Sequence, residues 1–361
     1  MKKQETQITH TAYWVISILT IIFILISCEP FTTTAIPQEN VTSAALSAEA
    51  ELPVLPFLPA AYQSPYLHPL DTPHSYIEDT CQYLRNKWNP ANAKPGTVVM
   101  VIMFKEITNP LDFHKIMVEL QTQGFQAINT KKLLAFLERN IYIPSRSVLL
   151  IQDGSYEARN FNQAFREYWD ELGWPVVNGW VSEPGTPDSL WNENTALENE
   201  GWVDHQAGGV ISDTVLSDDS SKAVITRELD GSLSAFAGHY AKTPYAFIWP
   251  NGGFGLRPVQ AARQLGYQLG FTSNPRGPLM YNWVPLADTV DSDRPSYIPE
   301  GPINDPLMTL PRYPADEALN AIDAVRVSGE EAAAYQEANK AVELNYYDLI
   351  CKSTHGPIPN P

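Results

Sequence analysis

Ser147-Val-Leu-Leu-Ile-Gln-Asp-Gly154 is an apolar run that ends abruptly on a polar pair and a glycine. A run of this length without alternation is the pattern of a strand covered on both faces, as in a parallel sheet. The Asp-Gly corner after it is a turn signal. Where strands and helices alternate, functional groups gather at the C-terminal ends of the strands. Asp153 therefore stands where such a group belongs.

The surrounding chain repeats that texture. Val98-Val-Met-Val-Ile-Met-Phe104 is a second continuous apolar run, and Phe113, Ile116, Met117 and Leu120 then recur at helical spacing before Gly124. Thr130 reads as the N-cap of the next helix, whose apolar face is Leu133, Leu134 and Leu137. After the Asp-Gly corner, Phe161, Ala164, Phe165, Trp169 and Leu172 predict another helix, and residues 175–181 another strand. Tyr245 to Trp249 reads as a late strand, and Pro258 sits in the first turn of a helix that runs to Leu265. Repeated β–α units across residues 76–315 predict a parallel sheet, either open or closed into a barrel.

Four landmarks in this region resemble the NodB-type polysaccharide deacetylases (carbohydrate esterase family 4). The first is the Gln152-Asp153-Gly154 corner, where the family usually carries T-F-D-D-G. The second is Gly201-Trp-Val-Asp-His-Gln-Ala-Gly-Gly209, near the place of the family's H-[ST]-x-x-H. The third, Ala246-Phe-Ile-Trp-Pro-Asn-Gly-Gly253, is similar to a groove-wall loop, nearest to that of exported poly-N-acetylglucosamine deacetylases. The helix and strand pattern of Arg257 to Phe271 comes directly after it. The fourth, Leu307-Met-Thr-Leu-Pro-Arg-Tyr-Pro314, is similar to the family's closing L-P-R segment.

The resemblance implies a distorted (β/α)7 barrel. It also implies a divalent, zinc-like metal held by Asp153 and His205, and Arg312 directed toward the base or the groove. Trp249 and Asn251 fall on the loop that would line a sugar-binding groove, where an aromatic ring stacks on a sugar face. The departures concern chemistry. Gln152 occupies the position of the family's base, and an amide takes no proton at neutral pH. The residue four beyond His205 is Gly209, so the second metal histidine is missing, whereas catalytic zinc normally has three protein ligands. Metal binding is thus expected to be weak or absent. Asp204 and Asp213 are the remaining carboxylates near that motif. No G-x-S-x-G, G-x-x-x-x-G-K-[ST], C-x-x-C or H-E-x-x-H occurs in the sequence.

The N-terminal segment predicts where the chain works. Lys2 and Lys3 precede an apolar run from Ala12 to Ile26 and then Leu25-Ile-Ser-Cys28. That order is a charged region, a short apolar core and a lipobox-like cleavage site, so residues 1–27 read as a lipoprotein signal peptide and Cys28 as the lipidated first residue. The alternative, a permanent span, needs about 20 apolar residues. This run has 15, interrupted by Ser17 and Thr20. Residues 28–75 are rich in Ala and Pro and read as a tether, and residues 316–361 as a helical extension and tail without assigned chemistry. With Cys28 lipidated, Cys81 and Cys351 remain, and an even pair outside the cytosol predicts a disulfide.

The net charge of −17 argues against nucleic acid as a partner, since phosphates demand Lys and Arg. Three functions remain open. One is an exported, lipid-anchored protein that binds N-acetylated envelope or exopolysaccharide glycans with hydrolysis weak or lost. Another is an active deacetylase with a rearranged site, and the third is a structural envelope lipoprotein. The anchor is testable alone: Cys28→Ser is expected to release the protein from the membrane fraction. A variant that stays membrane-bound and unprocessed would mean a transmembrane anchor.

Overall fold

A computed structural model describes residues 54–55 and 70–359, except Thr108, Ser155 and Tyr156. The signal segment, Cys28 and most of the tether lie outside the described residues. Among those described, no helix is long and apolar enough to cross a membrane.

The chain begins with β1 (Asp71–His74) and α1 (Thr80–Lys87), then β2 (Val98–Phe104), α2 (Pro110–Thr122), β3 (Gln126–Ala127) and α3 (Thr130–Arg139). It continues through β4 (Arg146–Asp153), α4 (Ala158–Ala164), α5 (Arg166–Leu172), β5 (Val176–Trp180), α6 (Asp188–Glu200) and β6 (Val203–Ala207). Next come α7 (Lys222–His239), β7 (Ala246–Ile248), α8 (Leu256–Gln264), β8 (Leu269–Phe271), β9 (Val284–Ala287), β10 (Tyr313–Pro314) and α9 (Ala315–Tyr346).

The expected barrel of seven strands is present. Its parallel order is β10-β2-β4-β5-β6-β7-β8, and the two ends meet through the residues just before β10. The Leu310 amide donates to the Gly270 carbonyl at 2.8 Å, and its carbonyl accepts from Thr272 at 2.8 Å. Three residues on, Tyr313 and Pro314 pair with Ile102 and Met103 of β2. The distortion lies beside β4, whose first half pairs with the short β3 and whose last three residues pair with β5. Period-two alternation sends Val99, Val101, Leu149, Ile151, Val177, Ile248, Phe271 and Leu310 into the barrel core. The opposite faces of β2 and β4 pack under α2, α4, α5 and α9 through Phe113, Ile116, Phe161, Phe165 and Ile322.

Local chemistry sets the helix ends. Asn109 caps α2, with Pro110 in the first turn, where its missing N–H is no loss. For α3 the cap is Asn129 and not Thr130, because Asn129 Oδ1 accepts from the Lys132 amide at 2.9 Å. The Thr130 hydroxyl is drawn instead to Asp204.

The boundaries of the domain also shift. Residues 71–74, inside the stretch assigned to the tether, pair as β1 with β9. The helical extension expected within 316–361 is α9, and it is part of the barrel's outer layer and not an appendage. Its buried residues Ala318, Ile322, Val325 and Ala332 join the core above β2. At Gly96, with φ +78, a Cβ would come within 2.5 Å of the Gly329 carbonyl, so the helix lies directly against this turn. Cys81 and Cys351 are bridged, with a Cα–Cα distance of 5.2 Å, beside the buried Leu84 and Tyr347. Lys87 and Glu343 pair at 2.8 Å in the same contact.

The bridge spans 270 residues, so chain entropy gives it about 5 kcal/mol as an upper figure. Reduction, or Cys81→Ser with Cys351→Ser, should lower the melting temperature clearly in calorimetry. An unchanged transition would show that α1 and α9 hold each other without it.

Candidate functional site

Asp153 is the last residue of β4 and points inward at the C-terminal mouth of the barrel, level with Gly179 in the register. Its Oδ2 accepts from Arg312 Nη1 at 3.1 Å. Arg312 comes after Leu310 and Pro311 of the closing segment, and its side chain is fully buried while that of Asp153 is 18% exposed. Arg312 Nε donates to the Thr272 carbonyl, and Nη2 has no partner among the described residues. Burial pushes the guanidinium pKa down, and the adjacent carboxylate opposes that shift. The structure thus brings together two of the residues singled out from the sequence. It joins them as an ion pair.

Gln152 lies on the other side of the wall, because successive strand residues face opposite ways. Its amide nitrogen donates to the Lys105 carbonyl. The side chain closes the inner end of an outer cleft of about 420 Å3, formed between the start of α2 and the α4–α5 pair. Asn178, its neighbour in register, is wholly buried, and neither of its amide atoms has a partner among the described residues.

His205 continues that outward row, in register with Asn178. Its Nδ1 meets Glu198 Oε2 at 3.0 Å and its Nε2 meets Asn194 Oδ1 at 3.1 Å, both on α6. Trp180 and Tyr240 pack against the ring, at centroid distances of 6.0 and 4.8 Å. Burial lowers the imidazole pKa, and the Glu198 hydrogen bond opposes this. The expected metal pair Asp153 and His205 is therefore not assembled: one faces the barrel and the other faces α6.

The carboxylates near the second landmark do not repair the set. Asp204 faces inward but is bound by Thr130, by Gln206 Nε2 at 2.8 Å and by Lys242 Nζ at 2.8 Å. Lys242 also meets Glu198 at 2.7 Å. Burial alone would lower the lysine pKa, but the two carboxylates outweigh it and the pKa is raised. Asp213 is exposed on a loop. Gly209 has φ +94, and a Cβ there would meet both Glu228 Oε2 and Pro250 Cγ at 2.9 Å. No side chain fits at the position of the missing histidine. Among the described residues no group of three His, Cys, Asp or Glu is placed to hold a metal. The donors at the mouth do not fit a divalent cation, since Asp153 is already matched to Arg312 and no further ligands join it in a group of three among the described residues.

Trp249 is not a groove wall. It is fully buried, packs at 4.8 Å against Phe247 and donates from Nε1 to the Met308 carbonyl at 2.8 Å. Asn251 alone of that loop is exposed, and its Nδ2 donates to the Ser212 carbonyl at 2.9 Å.

Sequence reasoning missed both the outer cleft and the Asp204–Lys242–Glu198 network. The signal for the second was present in Val203-Asp-His-Gln-Ala207, a strand carrying polar residues on both faces. The cleft has no motif, because its polar side chains come from exposed helix positions.

No model of a known protein family matches the sequence, and no curated protein matches it. Among solved structures the chain is similar to polysaccharide deacetylases. A Streptococcus pyogenes deacetylase in complex with acetate aligns at 14% identity and a TM-score of 0.49, covering 64% of this chain and 99% of that one. IcaB from Ammonifex degensii aligns at 11% and 0.48, covering 65% and 98%. A polysaccharide deacetylase from Bacillus cereus aligns at 13% and 0.45, covering 62% and 69%.

If Asp153 serves the fold, then Asp153→Asn strands a buried guanidinium. The expected loss is about 3 kcal/mol, the lower end for breaking a buried pair, because the carboxylate keeps some water. Zinc should leave the melting temperature of the unaltered protein unchanged. Stabilisation by zinc that disappears in Asp153→Asn would instead mark Asp153 as a ligand.

Proposed function

We propose that this protein is a NodB-type polysaccharide deacetylase homologue that binds N-acetylated envelope or exopolysaccharide glycans without hydrolysing them. In this reading it is exported and anchored at the membrane through lipid on Cys28. The four sequence landmarks and the seven-stranded barrel support the ancestry. The observation that supports the loss of hydrolysis is the pairing of Asp153 with Arg312, with no group of three possible metal ligands among the described residues.

Hydrolysis of an acetamide requires an activated water, a group to take its proton and a donor for the leaving amine. Gln152 supplies no base and faces away from the mouth. His205 has both ring nitrogens engaged on the helix side, so it is not available as the acid. The geometry therefore favours retention of a glycan over cleavage. The acidic surface suits a neutral or cationic polymer better than an anionic one.

The test is acetate release from N-acetylglucosamine oligomers or acetylated xylan with zinc or cobalt supplied. No release above the protein-free rate is expected. Robust release abolished by Asp153→Asn would establish an active deacetylase with a rearranged site.

A further inference from the structure

The strand ends carry a second concavity outside the barrel. It lies between the first turns of α2 and the exposed face of α4–α5, with Gln152 at its inner end and a volume of about 420 Å3. We propose that this outer cleft, and not the barrel mouth, holds a neutral pyranose unit of the glycan; the inference rests on the glycan-binding reading above.

The composition of the cleft suits a sugar ring. Asn160, Gln163 and Glu167, exposed on α4–α5, line the cleft with planar hydrogen-bonding groups, and Phe113 of α2 lies in its wall with its ring mostly packed into the core. Amide and carboxylate groups match the donor and acceptor pairs of neighbouring hydroxyls.

The cleft is also preformed. His114 Nδ1 on α2 and Tyr168 Oη on α5 are 3.0 Å apart, a hydrogen bond that ties one wall to the other. Phe113 meets Phe165 and Tyr168 edge to face, at centroid distances of 5.0 and 5.9 Å. Walls fixed in this way lose little freedom when a ligand enters. The barrel mouth offers less. Asp153 is paired with Arg312, whose unpartnered Nη2 is itself buried, and Trp249 is buried.

The test is calorimetric titration with a β-1,4-linked N-acetylglucosamine tetramer. Asn160 and Gln163 are exposed, so Asn160→Ala with Gln163→Ala should fold normally, as an unchanged melting temperature will show. Loss of two ligand hydrogen bonds should weaken Kd by about tenfold or more. Asn251→Gly, at the mouth, should leave Kd unchanged. The opposite result, binding weakened by Asn251→Gly and untouched by the cleft variant, overturns the cleft while leaving the glycan reading in place. Absence of binding to the unaltered protein overturns both.

Discussion

A short segment closes the barrel, and in doing so it decides the chemistry of the mouth. Leu310 and Arg312 donate their amides to Gly270 and Asn274 on one side, and Tyr313 and Pro314 pair with β2 on the other. Pro311 lies between the two donors that face β8, so its missing N–H interrupts neither bond on that side. Closure leaves no open sheet edge between β8 and β2. It also fixes which way Arg312 faces. With Leu310 pointing into the core, Arg312 two residues later points the same way, and its guanidinium arrives at the mouth without access to water.

A buried cation needs a counter-charge, and Asp153 supplies it. The end of β4 is thereby drawn into the architecture of the fold. Coulomb repulsion between a divalent ion and a guanidinium a few ångströms away, in a medium of low dielectric, opposes any metal at this carboxylate. Where a metal site gathers several anionic or imidazole donors, Asp153 is matched instead to a cation, and no group of three donors is assembled among the described residues. Gly179 beside Asp153, and Ile248 beyond it, add no donor.

The architecture is legible in the sequence because burial writes itself into long apolar runs. Val98 to Phe104 and Val148 to Ile151 have no polar interruption, and both are core strands. Helix stripes such as Phe113, Ile116, Met117 and Leu120 are equally plain. The site is less legible because function there depends on which face a residue takes, and the shift of a single position reverses it. His205 sits in Val-Asp-His-Gln-Ala, where polar residues occupy both faces and no hydrophobic period fixes the direction. Trp249 reads the same in sequence whether it lines a groove or fills the core. Only the Met308 carbonyl, brought in from 59 residues away, decides for the core.

The departure from the resembled motif goes deeper than two side chains. Gly208 lies so close to β5 that a Cβ would stand 2.8 Å from the Gly179 carbonyl. Gly209 adopts a left-handed conformation that a histidine reaches only with strain. The turn beyond it is held by Glu228, whose Oε2 accepts from the Val210 and Ile211 amides at 2.7 and 3.0 Å. The Glu228 carboxylate thus occupies the space into which a side chain at Gly209 would grow. Reinstating a ligand there would require Glu228 to leave, which would abandon two backbone amides. Likewise, a carboxylate placed at Gln152 would enter the outer cleft and not approach Asp153. Backbone path and buried partners together hold this mouth in its ion-paired form, and they keep Gln152 and His205 facing the helices.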